Sequence, residues 1–90
     1  MTHISPAPAE LPHVPGARLL GDLARGGASW RVYLETKTDS QPVKGRVHFV
    51  SSAGQRATAW IFLEWSEQEV IKRFHEFSAL ELWKLLESLA

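Results

Sequence analysis

The side chains able to do chemistry are few, and their spacing argues against most reactions. His3, His13, His48 and His75 are the metal-ligand candidates. None stands three or four residues from another, the spacing that puts two ligands on one helical face, and there is no cysteine to supply a thiolate. His48, His75 and Glu76 would meet only through the tertiary fold, so neither a metal nor a cofactor is expected. The run from Gly16 to Gly21 has the glycine spacing of a phosphate-binding loop, but Asp22-Leu23 stands where Lys-Ser/Thr belongs. The carboxylate of Asp22 would oppose a phosphate, and the motif is rejected. Nucleophilic catalysis needs a Ser or Cys held by a base that an acid orients, but the serines fall in turn and helix-cap contexts, where Ser is expected in any case. Glu64, Glu67 and Glu69 offer paired carboxylates, yet they surround an open turn rather than a dry cleft that would lift one pKa. A chain of 90 residues also has little volume to spare for a pocket. A non-catalytic protein is expected.

Binding is the remaining class. Arg31, Arg46 and His48, with Tyr33 nearby, have the composition of a basic sheet face with an aromatic platform, the arrangement that reads single-stranded nucleic acid. Against it stand a formal net charge of zero and the absence of an RNP-like aromatic pattern. Charge is unevenly spread all the same. Residues 30–56 hold Arg31, Lys37, Lys44, Arg46 and Arg56 against Glu35 and Asp39, whereas residues 57–90 hold six glutamates against Lys72, Arg73 and Lys84. Pairing between strands, or between strands and helix, is the simplest account of that split. A protein partner or self-association is therefore the leading expectation. Trp65, near a turn, and Trp83, at the margin of a helix, are the anchor candidates, with Trp60 and Phe62 as a third apolar set. Leu82-Trp83-Lys84-Leu85-Leu86 matches an L-x-x-L-L box, but any leucine-rich amphipathic helix does so, and these leucines are expected in the core.

The elements that must position these residues follow from patterning. Four of the five prolines (Pro6, Pro8, Pro12, Pro15) lie in Met1–Gly16, which has no aromatic residue and reads as a flexible tail. Ala17–Arg25 places Leu19, Leu20 and Leu23 at helical spacing before Gly26-Gly27, so residues 17–29 read as a short helix or linker. All the aromatic residues lie at or beyond Trp30, where a single domain of residues 30–90 should begin. Trp30–Thr36 alternates, with Trp30, Val32 and Leu34 on one face, and predicts a half-buried strand. Lys44–Ser51 predicts a second strand, Val47 and Phe49 inward, closed by a connection at Ser52–Gln55. Ala57–Trp65, the most apolar run, predicts a buried central strand covered on both sides. Trp60 and Phe62 share one face, and Ala59, Ile61 and Leu63 the other. One set should pack against the helix, and the other should meet a partner or the N-terminal segment. Gln68–Phe74 predicts a fourth strand after a turn at Ser66-Glu67. Ser78 and Glu81 have capping-box spacing and Phe77 with Leu82 that of a hydrophobic staple, so Ala79–Leu89 predicts a helix.

The expected architecture is α+β: a four-stranded antiparallel β-meander with the C-terminal helix packed on one face, or else a small bent β-barrel plugged by that helix. The order W-R-V, an apolar hairpin, then L-E-L-W-K-L-L resembles small bacterial domains of uncharacterised function over residues 30–89. This chain has His75-Glu76-Phe77 where such domains carry a Pro-rich connection. The resemblance implies no activity. No stretch is apolar and long enough to span a bilayer and no signal-peptide pattern is visible, so a cytoplasmic protein without membrane contact is expected.

Overall fold

The computed structural model describes residues 16–89. Most of the tail expected over Met1–Gly16, together with His3 and His13, lies outside them. The fold is α+β: an open antiparallel sheet with two helices on one face. In chain order the elements are β1 (Ala17–Arg25), β2 (Ala28–Lys37), β3 (Val43–Ser51), β4 (Gly54–Ala57), β5 (Phe62–Glu64), α1 (Glu67–His75) and α2 (Ala79–Ser88). The strands lie in the order β1-β2-β3-β4, and β5 pairs with the other half of the β3 edge that β4 uses. The sheet does not close, which rules out the barrel.

The meander runs one element earlier than expected. Ala17–Arg25 is a strand, not a helix, and Gly26 and Gly27 form the two-residue hairpin connection to β2 rather than a helix stop. Both have positive φ, +57° and +85°, as the tight turns that suit twisted strands require. Leu20 lies at a bulge in the β1–β2 pairing, and Leu23 enters the core, so the domain begins before Trp30. At the other end Gln68–Phe74 is not a strand. It falls within α1, whose N-cap Ser66 accepts a hydrogen bond from the Glu69 amide at 3.2 Å and whose Val70 and Phe74, one turn apart, are buried. The C-terminal helix stands as expected: Ser78 Oγ accepts from the Glu81 amide at 3.1 Å, and the Ser78 amide donates to Glu81 Oε1 at 2.8 Å.

The central strand is β3, not Ala57–Trp65. From Val43 to Ser51 only Lys44 and Arg46 keep partial exposure, whereas Ala57–Trp65 is a broken edge. Its first residue ends β4, four residues follow without ladder pairing, and Phe62–Glu64 returns as β5. Thr58 holds the break together. Its amide donates to the Val47 carbonyl at 2.9 Å, and its Oγ1 accepts from the Val47 amide at 3.0 Å while donating to the Ala59 carbonyl at 2.6 Å. One side chain thus replaces the missing rung of the ladder.

Alternation in β2 and β3 sends Val32, Leu34, Val43, Val47 and Phe49 to the helix-covered face, where they meet Phe62, Val70, Phe74 and Leu86. Gly45 lies on the same face. A Cβ there would stand 2.5 Å from Val70 Cγ1 and 3.3 Å from Phe62, so the missing side chain is what lets α1 sit down on β3. Helix α2 packs more loosely: Leu86 is buried, and Leu82, Trp83, Leu85 and Leu89 pack around it half-buried.

Two stability predictions follow. Gly45→Ala should destabilise the fold by about 1–3 kcal/mol through overpacking, read as a lower urea midpoint with unchanged m-value. Thr58→Val should cost about 1–3 kcal/mol because the Val47 amide loses its acceptor in a buried setting, whereas Thr58→Ser should keep most of the stability. Equal urea midpoints for the two Thr58 variants would contradict the rung assignment.

Candidate functional site

The sheet face away from the helices carries the polar and apolar groups from which function must be read. Cross-strand partners share a face, so Tyr33 pairs with His48, Glu35 with Arg46, Lys37 with Lys44, and Lys44 in turn with Leu63. Register therefore brings together the four residues of the nucleic-acid expectation, Arg31, Tyr33, Arg46 and His48. It also supplies what the sequence hid, a carboxylate in their midst. Glu35 Oε1 accepts from His48 Nε2–H at 2.7 Å and from Arg46 Nε–H at 2.8 Å. Burial alone would raise the Glu35 carboxyl pKa, but the hydrogen bonds from His48 and Arg46 and the Arg46 charge outweigh it and hold the group below its ordinary value. Arg46 is further occupied by Trp60, whose ring centroid lies 4.3 Å from the guanidinium carbon. Tyr33 is only 8% exposed and offers no stacking platform. Both side chains expected to contact phosphate or base at this point are turned inward upon Glu35.

The four tryptophans divide on the same principle. Trp30 carries Arg56 at 5.2 Å, Trp60 carries Arg46, and Trp83 carries Arg25 at 5.8 Å. All three are half-buried. Trp65 has no such neighbour among the described residues and is 76% exposed. It ends a row of alternate residues, with Ile61 43% and Leu63 56% exposed. Phe62, between them, faces inward, is 6% exposed and meets Phe77 edge-to-face at 5.9 Å. The expected division of faces holds at Ile61, Phe62 and Leu63, but the side of Ala59, Ile61 and Leu63 is exposed rather than covered, and Trp60 leaves Phe62 to cover Arg46. Of the interface candidates, Trp65 stands clear, Trp60 and Trp83 are partly covered, and Phe62 is core. Ile61 and Leu63 belong with Trp65, which their alternation with it could have revealed.

Other chemistry finds no support among the described residues. Glu64 pairs with Arg73 at 3.4 Å, Glu67 accepts from Thr36 Oγ1 at 2.6 Å, and Glu69 is exposed on α1. These carboxylates serve separate contacts rather than one site. His48 lies on the open face and His75 on α1 beyond the other, and no group of three metal-ligating side chains exists among the described residues. Gly16 precedes a strand, not the helix a phosphate loop needs. Depressions among the described residues include one beneath α1, lined by Arg18, Leu34, Thr36, Glu67 and Ile71, and one on the face away from the helices, lined by Asp22, Ser29, Arg31, Val50 and Ser52. Neither sets a histidine beside a serine. No helix among the described residues is long and apolar enough to cross a membrane. Comparison of the chain with protein-family models, with curated proteins and with solved structures finds no match.

Glu35 gives the site its pH dependence. A carboxyl with a depressed folded pKa adds stability above its unfolded value, near 4.5, and loses that contribution as pH falls through the folded value. Urea unfolding should find Glu35→Gln less stable than the parent by about 1 kcal/mol at pH 6.5, with the gap closing towards pH 3. A gap constant across that range would show that Glu35 does not stabilise the fold through its charge.

Proposed function

We propose that this protein is a small non-catalytic interaction domain that binds another protein through the exposed row Ile61, Leu63 and Trp65. The observation that carries the reading is this row itself: Leu63 on the edge strand β5, flanked at alternate positions by Ile61 and by a tryptophan exposed over most of its surface. Isolated exposed apolar residues are ordinary, but several large ones close in sequence at a sheet edge are a recurring mark of protein contact. An exposed tryptophan beside aliphatic neighbours has the composition of an interface anchor. The opposite edge makes the contrast. Strand β1 carries Arg18, Asp22 and Arg25 and is distorted at Leu20, features that discourage strand addition. A second copy of the chain is one form the partner can take. Nucleic-acid binding has less support, because Glu35 occupies Arg46 and His48, two of the three basic groups that would serve it.

A random peptide library panned against the full chain tests the reading. Selected peptides should bind Leu63→Asp and Trp65→Ala about tenfold more weakly or worse, since truncating an interface anchor has that order of effect. They should bind Leu80→Asp, which alters an equally exposed leucine on α2, as they bind the parent. Peptides indifferent to Leu63 and Trp65 would overturn the proposal.

A further inference from the structure

Beside the apolar row, the face away from the helices carries a charge arrangement that does not close on itself. Lys37 and Lys44 are directly opposed across β2 and β3, and Lys44 is opposed to Leu63 across β3 and β5. Like charges in directly opposed positions disfavour the sheet. The neighbouring pair is satisfied, with Arg46 on Glu35, but no carboxylate among the described residues forms an ion pair with either lysine. Lys37 is exposed and Lys44 half-exposed, so both ammonium groups are within reach of a partner lying over the row.

We infer that the partner is an extended protein segment in which acidic side chains accompany apolar ones, with its apolar residues on Ile61, Leu63 and Trp65 and its carboxylates on Lys44 and Lys37. This rests on the reading of the row as a protein-binding surface and adds the chemistry of what it binds. Charge complementarity identifies the segment: bringing a carboxylate to two opposed lysines relieves their repulsion, which an uncharged or basic segment cannot do. A nucleic-acid strand fits less well, because in the row only Trp65, and neither Ile61 nor Leu63, has a π-face on which a base could stack. An anionic membrane fits less well too, because Glu35 and Asp22 lie on the same face as the lysines, and stable anchoring takes more than one small apolar site.

The full chain should be titrated by NMR with a nine-residue peptide of alternating Leu and Glu, and with Leu/Gln and Leu/Lys counterparts. A twenty-nucleotide single strand and phosphatidylcholine–phosphatidylserine vesicles complete the set. The Leu/Glu peptide should shift the amides of Lys44 and residues 61–65 and bind about fivefold or more tightly than Leu/Gln, the scale of two exposed ion pairs. The advantage should shrink at high salt. In Lys37→Glu and Lys44→Glu the preference should pass to Leu/Lys, with Lys37→Glu, at an exposed site, guarding against misfolding of the other. Equal binding of Leu/Glu and Leu/Gln at residues 61–65 would overturn the acidic partner and leave the apolar row intact. Absence of shifts at residues 61–65 with every peptide would overturn both, as would preferred binding of the oligonucleotide or the vesicles.

Discussion

Neither β4 nor β5 reaches Val47, yet the backbone of that residue is buried and must be hydrogen-bonded. Thr58 resolves the conflict, and much of the molecule follows from it. Because one threonine completes the rung with both its amide and its hydroxyl, the chain is free to leave the sheet for three residues and return. The excursion carries Trp60 across to Arg46. The return sends Phe62 into the core and turns Leu63 outward, and it delivers the chain to Ser66, where α1 starts. A continuous strand through this region would have kept strict alternation and placed Trp60 with Phe62.

A second constraint sets the helix layer. Val70 occupies the space a side chain at Gly45 would need, so α1 approaches β3 more closely there than any other residue type would allow. Phe62 and Phe74 close around that contact, and Leu86 adds the single fully buried residue of α2. The α1–β3 junction is the tightly fitted part of the core, while α2 lies over it as a looser cover whose half-buried leucines and Trp83 tolerate more change.

The α+β class, the antiparallel meander, β2, β3 and the C-terminal helix were legible from alternation and capping. The errors came from short-range ambiguity. Leu19, Leu20 and Leu23 fit helical spacing, but a strand with a bulge at Leu20 produces the same pattern, and Gly26-Gly27 serves a hairpin as well as a helix end. Gln68–Phe74 has β-branched and aromatic residues, yet Ser66 and Glu69 repeat the cap spacing of Ser78 and Glu81, and Val70, Phe74 and Phe77 follow a helical period. The break at Thr58 had no local signal, since nothing in A-T-A-W announces a side chain standing in for a strand. Of the site, the exposure of Trp65 was legible from its place near a turn. The grip of Glu35 on His48 and Arg46, and the opposition of Lys37 and Lys44, depend on register between distant strands and could not be read from spacing.

The two rims of the sheet are unlike each other, and this limits what the molecule can build. The β1 rim is charged and distorted at Leu20, features that discourage adding a neighbour, whereas the β5 rim is short and turns Leu63 outward. An assembly that grows through such a sheet must use two receptive rims per subunit, and among the described residues the β1 rim does not have that character. A strand added at β5 would therefore meet no second receptive rim among the described residues through which the addition could continue.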